Sequence, residues 1–161
     1  FILLYATFGK FRQAGLVLSI VPLALFGGML ALNVRGMTLN VSSAVGFIAM
    51  FGLSIQNGII MVSQINNLRK GGMELRKSVI EGARQRFRPI LMTSVTTVLG
   101  LFPASLATGI GSDVQRPLAT VIVYGLMFSA LISMFVLPVF YYLIENNVLN
   151  KKKNDEKEYA L

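Results

Sequence analysis

The sequence predicts an all-α integral membrane protein with four complete transmembrane helices, the tail of a fifth, and one amphipathic helix on the cytoplasmic surface. Three observations lead there. Only 14% of the 161 residues are charged and 54% are hydrophobic, with a mean hydropathy of +0.66, whereas a soluble domain carries about 25% charged residues. Residues 14–34, 40–68, 89–111 and 117–144 contain no Asp, Glu, Lys or Arg. Each stretch reaches the ~20 residues that cross a ~30 Å hydrocarbon core. Third, the basic residues are segregated between alternate connecting segments.

Taken in order, residues 1–8 (FILLYATF) are apolar but too short to span, and read as the end of a helix that begins upstream. They lack the charged start and small-residue cleavage site of a signal peptide, so the chain reads as a C-terminal piece of something longer. Residues 14–34 and 40–68 are the first two complete spans. Residues 72–88 (GMELRKSVIEGARQRFR) place Met73, Val79, Ile80, Ala83 and Phe87 at helical spacing among basic residues. That pattern fits a helix lying on the membrane surface, turned by Arg88-Pro89 into the third span, 89–111. The fourth span is 117–144, and Asp113 falls in the short loop 112–116 before it. Residues 145–161 form a cytoplasmic tail, of which 150–161 (NKKKNDEKEYAL) reads as disordered. Pro22, Pro103 and Pro138 mark expected kinks.

Every Lys and Arg except Arg35 and Arg116 lies in 9–13, 69–88 or 145–161. Cytoplasmic segments carry the Lys/Arg excess, so these three segments and the C-terminus are expected in the cytoplasm. The net charge of +8 is then a record of topology and calls for no nucleic-acid partner. The lipid bilayer is the expected solvent. Cys, His and Trp are absent, which excludes disulfides, thiolate or imidazole metal sites and haem ligation within the chain. No cofactor and no metal site are expected here. The eight Met residues are scattered, as lipid-facing or gap-filling residues are.

Polar residues inside the spans narrow the function. Ser42, Ala49, Gln56 and Ser63 recur every seven residues, flanked by Gly46 and Gly52. In the third span Thr93, Thr97, Gly100, Ala104 and Thr108 form a similar stripe. Small and hydroxyl-bearing stripes pack helices closely in membranes. Gln56 and Asn57 are adjacent amides near mid-membrane, costly there unless hydrogen-bonded or bordering a wet cavity. Neighbours on a helix point about 100° apart, so at least one is expected to face a third helix. No carboxylate lies within a span, and Glu145 falls at the end of the last one. A membrane-embedded hydrolase would need an acid pair, a Ser-His pair or metal ligands in the bilayer. None is present, so an enzyme is not expected.

These residues carry a family resemblance. LNVSSAVGFIAMFGLSIQNGIIMVSQINNLR at 39–69, EGARQRFRPILMTS at 81–94 and LGLFPASLATGIGSDVQRPLATVIVYGL at 99–126 resemble the resistance–nodulation–division (RND) efflux transporters, in their heavy-metal branch of the CzcA/CusA type. The resemblance implies that the four spans are the ninth to twelfth of a larger protein of the bacterial inner membrane. It implies a secondary transporter, a proton antiporter, working as a homotrimer with a periplasmic adaptor protein and an outer-membrane channel. Protons and metal cations are then the transported species. By position Gln56 stands where drug-exporting relatives have a relay lysine, followed by the matching Asn57. Thr93 matches the relay threonine and Arg86 an arginine at the mouth of the proton path. A glutamine cannot carry charge and can only rearrange hydrogen bonds, which fits the metal branch. Copper and silver exporters commonly place a Met where this chain has Gln115. The implied cargo is therefore a divalent cation such as Co, Zn, Cd or Ni. An exporter of hydrophobic drugs and a non-transporting membrane scaffold subunit are the alternatives.

Overall fold

The computed structural model describes residues 2–158, with side chains through 148. Among the described residues the chain forms five helices: α1 (Ile2–Phe8), α2 (Phe11–Val34), α3 (Val41–Lys70), α4 (Leu75–Leu106) and α5 (Ser112–Glu158). Four are long and apolar enough to cross a membrane: α2, α3, α4 and the part of α5 from Ser112 to Val148. The shortest of them, α2, has 24 residues and is about 36 Å long at 1.5 Å per residue.

Local chemistry marks the ends. After α2, Gly36 takes φ +62, its N–H bonds the Asn33 carbonyl, and the Met37 N–H bonds that of Leu32 at 2.9 Å. Gly72 repeats the arrangement after α3 with φ +86, bonding Arg69, while Met73 bonds Leu68. Both are Schellman stops, which need a left-handed residue and so favour glycine. At the start of α3 the Asn40 side chain accepts from the Ser43 N–H, and the Ser43 hydroxyl accepts from the Asn40 N–H, both at 2.9 Å. This reciprocal cap satisfies two donors that a helix start leaves free.

Helix α5 is the centre of the bundle, packing against α2, α3 and α4. Val17, Ile20, Met61, Ile65, Val79, Leu137 and Tyr141 belong to its core. Lipid is as apolar as leucine, so contact here rests on close fit and on hydrogen bonds between helices. Gly46 provides fit: an added Cβ there would lie 3.0 Å from the Leu118 carbonyl oxygen. Ser54 and Ser129, both fully buried, provide a bond of 2.8 Å between α3 and α5.

Two polar clusters mark opposite ends. At one, Gln13, Asn66, Arg69, Tyr141 and Glu145 join α2, α3 and α5. Gln13 and Asn66 exchange amide bonds of 3.0 and 2.8 Å, the Tyr141 hydroxyl donates to Asn66 Oδ1 at 2.6 Å, and Arg69 pairs with Glu145 at 3.2 Å. At the other, Arg35 donates to the Ser105 carbonyl at 2.8 Å and to the Thr120 hydroxyl at 3.0 Å, occupying a carbonyl in the last turn of α4. Successive spans therefore run antiparallel.

The structure departs from the sequence reading at four places. Segment 72–88 and the third span are joined in one helix, α4, with Pro89 inside it; proline removes one N–H but does not end a helix whose neighbours hold it. Residues 112–116 are the first turn of α5 rather than a loop, and Asp113 lies in that turn, where a negative charge suits the helix dipole. The turn itself is 107–111. Helix α5 runs on to Glu158 where disorder was expected, through Lys- and Glu-rich sequence of good helix propensity. Residues 159–161 of that expected tail, and Phe1, lie outside the described residues.

Candidate functional site

The amides, the threonines and the arginine singled out in the spans meet in one place. A groove of about 240 Å³ between α3 and α4 is lined by Gln56 and Asn57 from α3, by Arg86, Thr93, Ser94 and Thr97 from α4, and closed by apolar residues such as Leu53, Ile60 and Leu126. Spacing makes this possible: residues 86, 90, 93 and 97 of α4 share one face. Both amides border the groove, with Asn57 half-buried and Gln56 exposed. At least one was expected to face a third helix; among the described residues the two side chains flank one opening. Neither makes a hydrogen bond among the described residues.

The threonine hydroxyls are engaged only with their own helix. Thr93 Oγ1 donates to the carbonyls of Pro89 and Ile90, each at 3.1 Å, and Thr97 Oγ1 to that of Thr93 at 2.9 Å. Such back-bonding leaves oxygen lone pairs free. Arg86 Nη2 donates to Gln64 Oε1 at 3.0 Å. Gln64 in turn donates to Gln85, and Gln85 to Glu81, at 2.6 and 3.0 Å. Arg86 Nε and Ser94 Oγ are buried without a partner, and a buried unmatched polar atom costs about 1–3 kcal/mol. The groove is therefore short of acceptors, and a carboxylate is the group that would satisfy it best. No group of three or more His, Cys, Asp or Glu that could hold a metal ion lies among the described residues.

Sequence reasoning missed Ser94 and Gln64. Ser94 follows Thr93 and precedes Thr97 by three, so the same helical face signals it. Gln64 lies seven residues after Asn57, on the same side of α3. The packing stripes fared differently. Gly46 is buried, Ser42, Ser63, Thr97 and Ala104 are half-buried, and Ala49, Gly52 and Gly100 are exposed. The buried face of α3 runs instead through Ser43, Gly46, Met50, Ser54, Gly58, Met61 and Ile65. An α-helix apolar on all sides offers no polarity to choose between two small-residue stripes.

Fold and groove together define a polytopic α-helical membrane protein. The chain belongs to the AcrB/AcrD/AcrF family, whose model matches residues 1–145. It is 46% identical over 143 residues to the cobalt-zinc-cadmium resistance protein CzcA of Cupriavidus metallidurans, covering 89% of this chain and 14% of that protein. It is 45% identical over 135 residues to the nickel and cobalt resistance protein CnrA of the same organism, covering 84% of this chain and 12% of the relative. A crystal structure of a heavy metal efflux pump matches with a TM-score of 0.82 and 52% identity, over 90% of this chain and 14% of that one. These relatives bear out the resemblance to the heavy-metal branch of the RND transporters. The chain spans only about 14% of the length of CzcA.

Proposed function

We propose that the chain forms part of the membrane domain of a proton-coupled exporter of heavy-metal cations in a bacterial inner membrane. One observation carries the reading: Gln56, Asn57, Thr93 and Arg86 converge on a groove whose buried donors lack an acceptor. An acid from elsewhere in the protein completes it. When ionised, that carboxylate accepts from Asn57, Ser94, Thr93 and Arg86. When protonated, it releases them, and Thr93 returns to the Pro89 and Ile90 carbonyls, the arrangement seen here. Gln56 follows by rearranging hydrogen bonds without changing charge. The exposed stripe of Ala49, Gly52 and Gly100 packs against helices from the rest of the protein.

The end with Lys10, Arg69 and Glu145 faces the cytoplasm, because the Lys/Arg excess lies there. The cargo is a divalent cation, in keeping with the cobalt, zinc, cadmium and nickel named for the relatives. The assembly is a homotrimer with a periplasmic adaptor and an outer-membrane channel, as the RND resemblance implies. Gln56→Leu and Thr93→Val in the full-length protein are expected to abolish resistance to cobalt, zinc and cadmium at unchanged membrane abundance. Full resistance in both variants would leave a scaffold and overturn the proposal.

A further inference from the structure

A second groove, of about 590 Å³, lies between the first turns of α4 and the later turns of α5. Val79, Ile80 and Ala83 form one wall, Pro138, Val139 and Leu143 the other, and Arg76 stands in its rim. Ile80, Val139 and Leu143 are 59%, 58% and 48% exposed, so both walls are open among the described residues. The helices run antiparallel, so Arg76 and Leu143 share one end while Ala83 and Pro138 lie deeper. The groove is thus polar at the end level with the Arg69–Glu145 pair and apolar toward the bilayer centre. Its depth comes from Ala83, which has no side chain beyond Cβ. Arg76 makes no ion pair among the described residues, whereas its neighbour Lys77 pairs with Glu74 at 3.5 Å.

We propose that this groove holds an anionic phospholipid of the cytoplasmic leaflet, with an acyl chain between Ala83 and Val139 and the phosphate on Arg76. The match is of polarity along one direction: cationic at the headgroup level and apolar below it, with the wall exposed among the described residues. A protein helix packed there would have to bring an acceptor to Arg76, because a buried unpaired charge is unfavourable. Cytoplasmic leaflets are negatively charged, and a basic residue near the surface attracts them by roughly 1 kcal/mol, or about fivefold in occupancy. The inference rests on the membrane orientation proposed above and not on the identity of the exported ion.

The test uses the purified full-length protein, delipidated and offered dioleoyl phosphatidylglycerol or dioleoyl phosphatidylcholine, with bound lipid counted by native mass spectrometry. Wild type is expected to retain phosphatidylglycerol about fivefold better. Arg76→Gln is expected to erase that preference, and Ala83→Trp to lose both lipids while its thermal midpoint and elution volume stay unchanged. Val139→Trp blocks the groove from its exposed wall and does the same should Ala83→Trp fold poorly. Wild-type retention in both tryptophan variants would overturn the site. So would a photo-crosslinker at position 139 that captures a segment of the same protein instead of lipid. Labelling of Arg76→Cys by a membrane-impermeant maleimide from the periplasmic side would overturn the leaflet assignment. That result is separate from any effect on metal export.

Discussion

Replacing Asn66 by leucine removes the hub of the cluster that ties α2, α3 and α5 together. Three hydrogen bonds converge on it: from Gln13 Nε2 at 3.0 Å, to Gln13 Oε1 at 2.8 Å and from the Tyr141 hydroxyl at 2.6 Å. Hydrogen bonds between membrane helices average about 0.6 kcal/mol each, so their loss amounts to about 2 kcal/mol. The variant also leaves Gln13 Oε1, in a residue 3% exposed, without a donor and the O–H of fully buried Tyr141 without an acceptor, although the Tyr141 oxygen still accepts from Arg69 at 3.4 Å. Each group left unmatched adds about 1–3 kcal/mol. Gln13 keeps only Glu145 Oε1 at 3.3 Å. The expected destabilisation is therefore about 4–8 kcal/mol, at least several-hundredfold in the opening equilibrium at tenfold per 1.4 kcal/mol. Titrating the full-length protein with SDS in mixed micelles, with a fluorophore at Asn147→Cys, reads the opening of this end. Tyr141→Phe removes the bond to Asn66 and the longer one from Arg69 and is expected to cost about 1.2 kcal/mol at about 0.6 kcal/mol per bond. Gln13→Leu added to Asn66→Leu replaces both buried amides and is expected to recover part of the loss. An unshifted midpoint in Asn66→Leu, or strict additivity in the double variant, would refute the reasoning.

Gly46→Leu places side-chain atoms against the Leu118 carbonyl and Val121, an overpacking expected to cost about 1–3 kcal/mol in the same titration. At Gly52 an added Cβ meets nothing within 4 Å, so Gly52→Leu is expected to leave that midpoint unchanged and to lower metal resistance by blocking the stripe proposed to pack on the rest of the protein. Arg35→Ala loses its bonds to Ser105 and Thr120, about 1.5–3 kcal/mol for a charged donor, and faster hydrogen exchange in 105–112 is the expected sign. Arg86→Lys keeps the charge but loses the planar fork that reaches Gln64. A drop in export with unchanged topology is expected, and full activity would make Arg86 a topology determinant alone.

How far the sequence reached follows from what each signal measures. Absence of charge over a bilayer's thickness located all four spans, because lipid penalises charge at any point of the circumference. The same signal cannot rank helix faces, so Gly46 was found in contact while Ala49 and Gly52 were left open and Ser54 and Gly58 took their place. Proline at 89 suggested a break, but its missing N–H is a local loss that the surrounding helix absorbs. Gln56, Asn57, Thr93 and Arg86 stood out singly as polar groups in apolar surroundings. Their convergence depends on the register of α3 against α4, which is set by contacts such as Gly82 fitting against Ile65. The cluster of Gln13, Asn66 and Tyr141 joins residues more than fifty positions apart, and no periodicity within one helix encodes it.

The central claim is that a hydroxyl at position 93 takes part in proton coupling, and substitution at that atom tests it most directly. In proteoliposomes of the full-length protein, zinc-driven proton flux is compared for wild type, Thr93→Ser and Thr93→Val. Serine keeps the Oγ that donates to the Pro89 and Ile90 carbonyls, and flux near the wild-type value is predicted, with loss of tenfold or more for valine, on the order of one proton-transfer partner's contribution. Equal flux in all three would contradict the account.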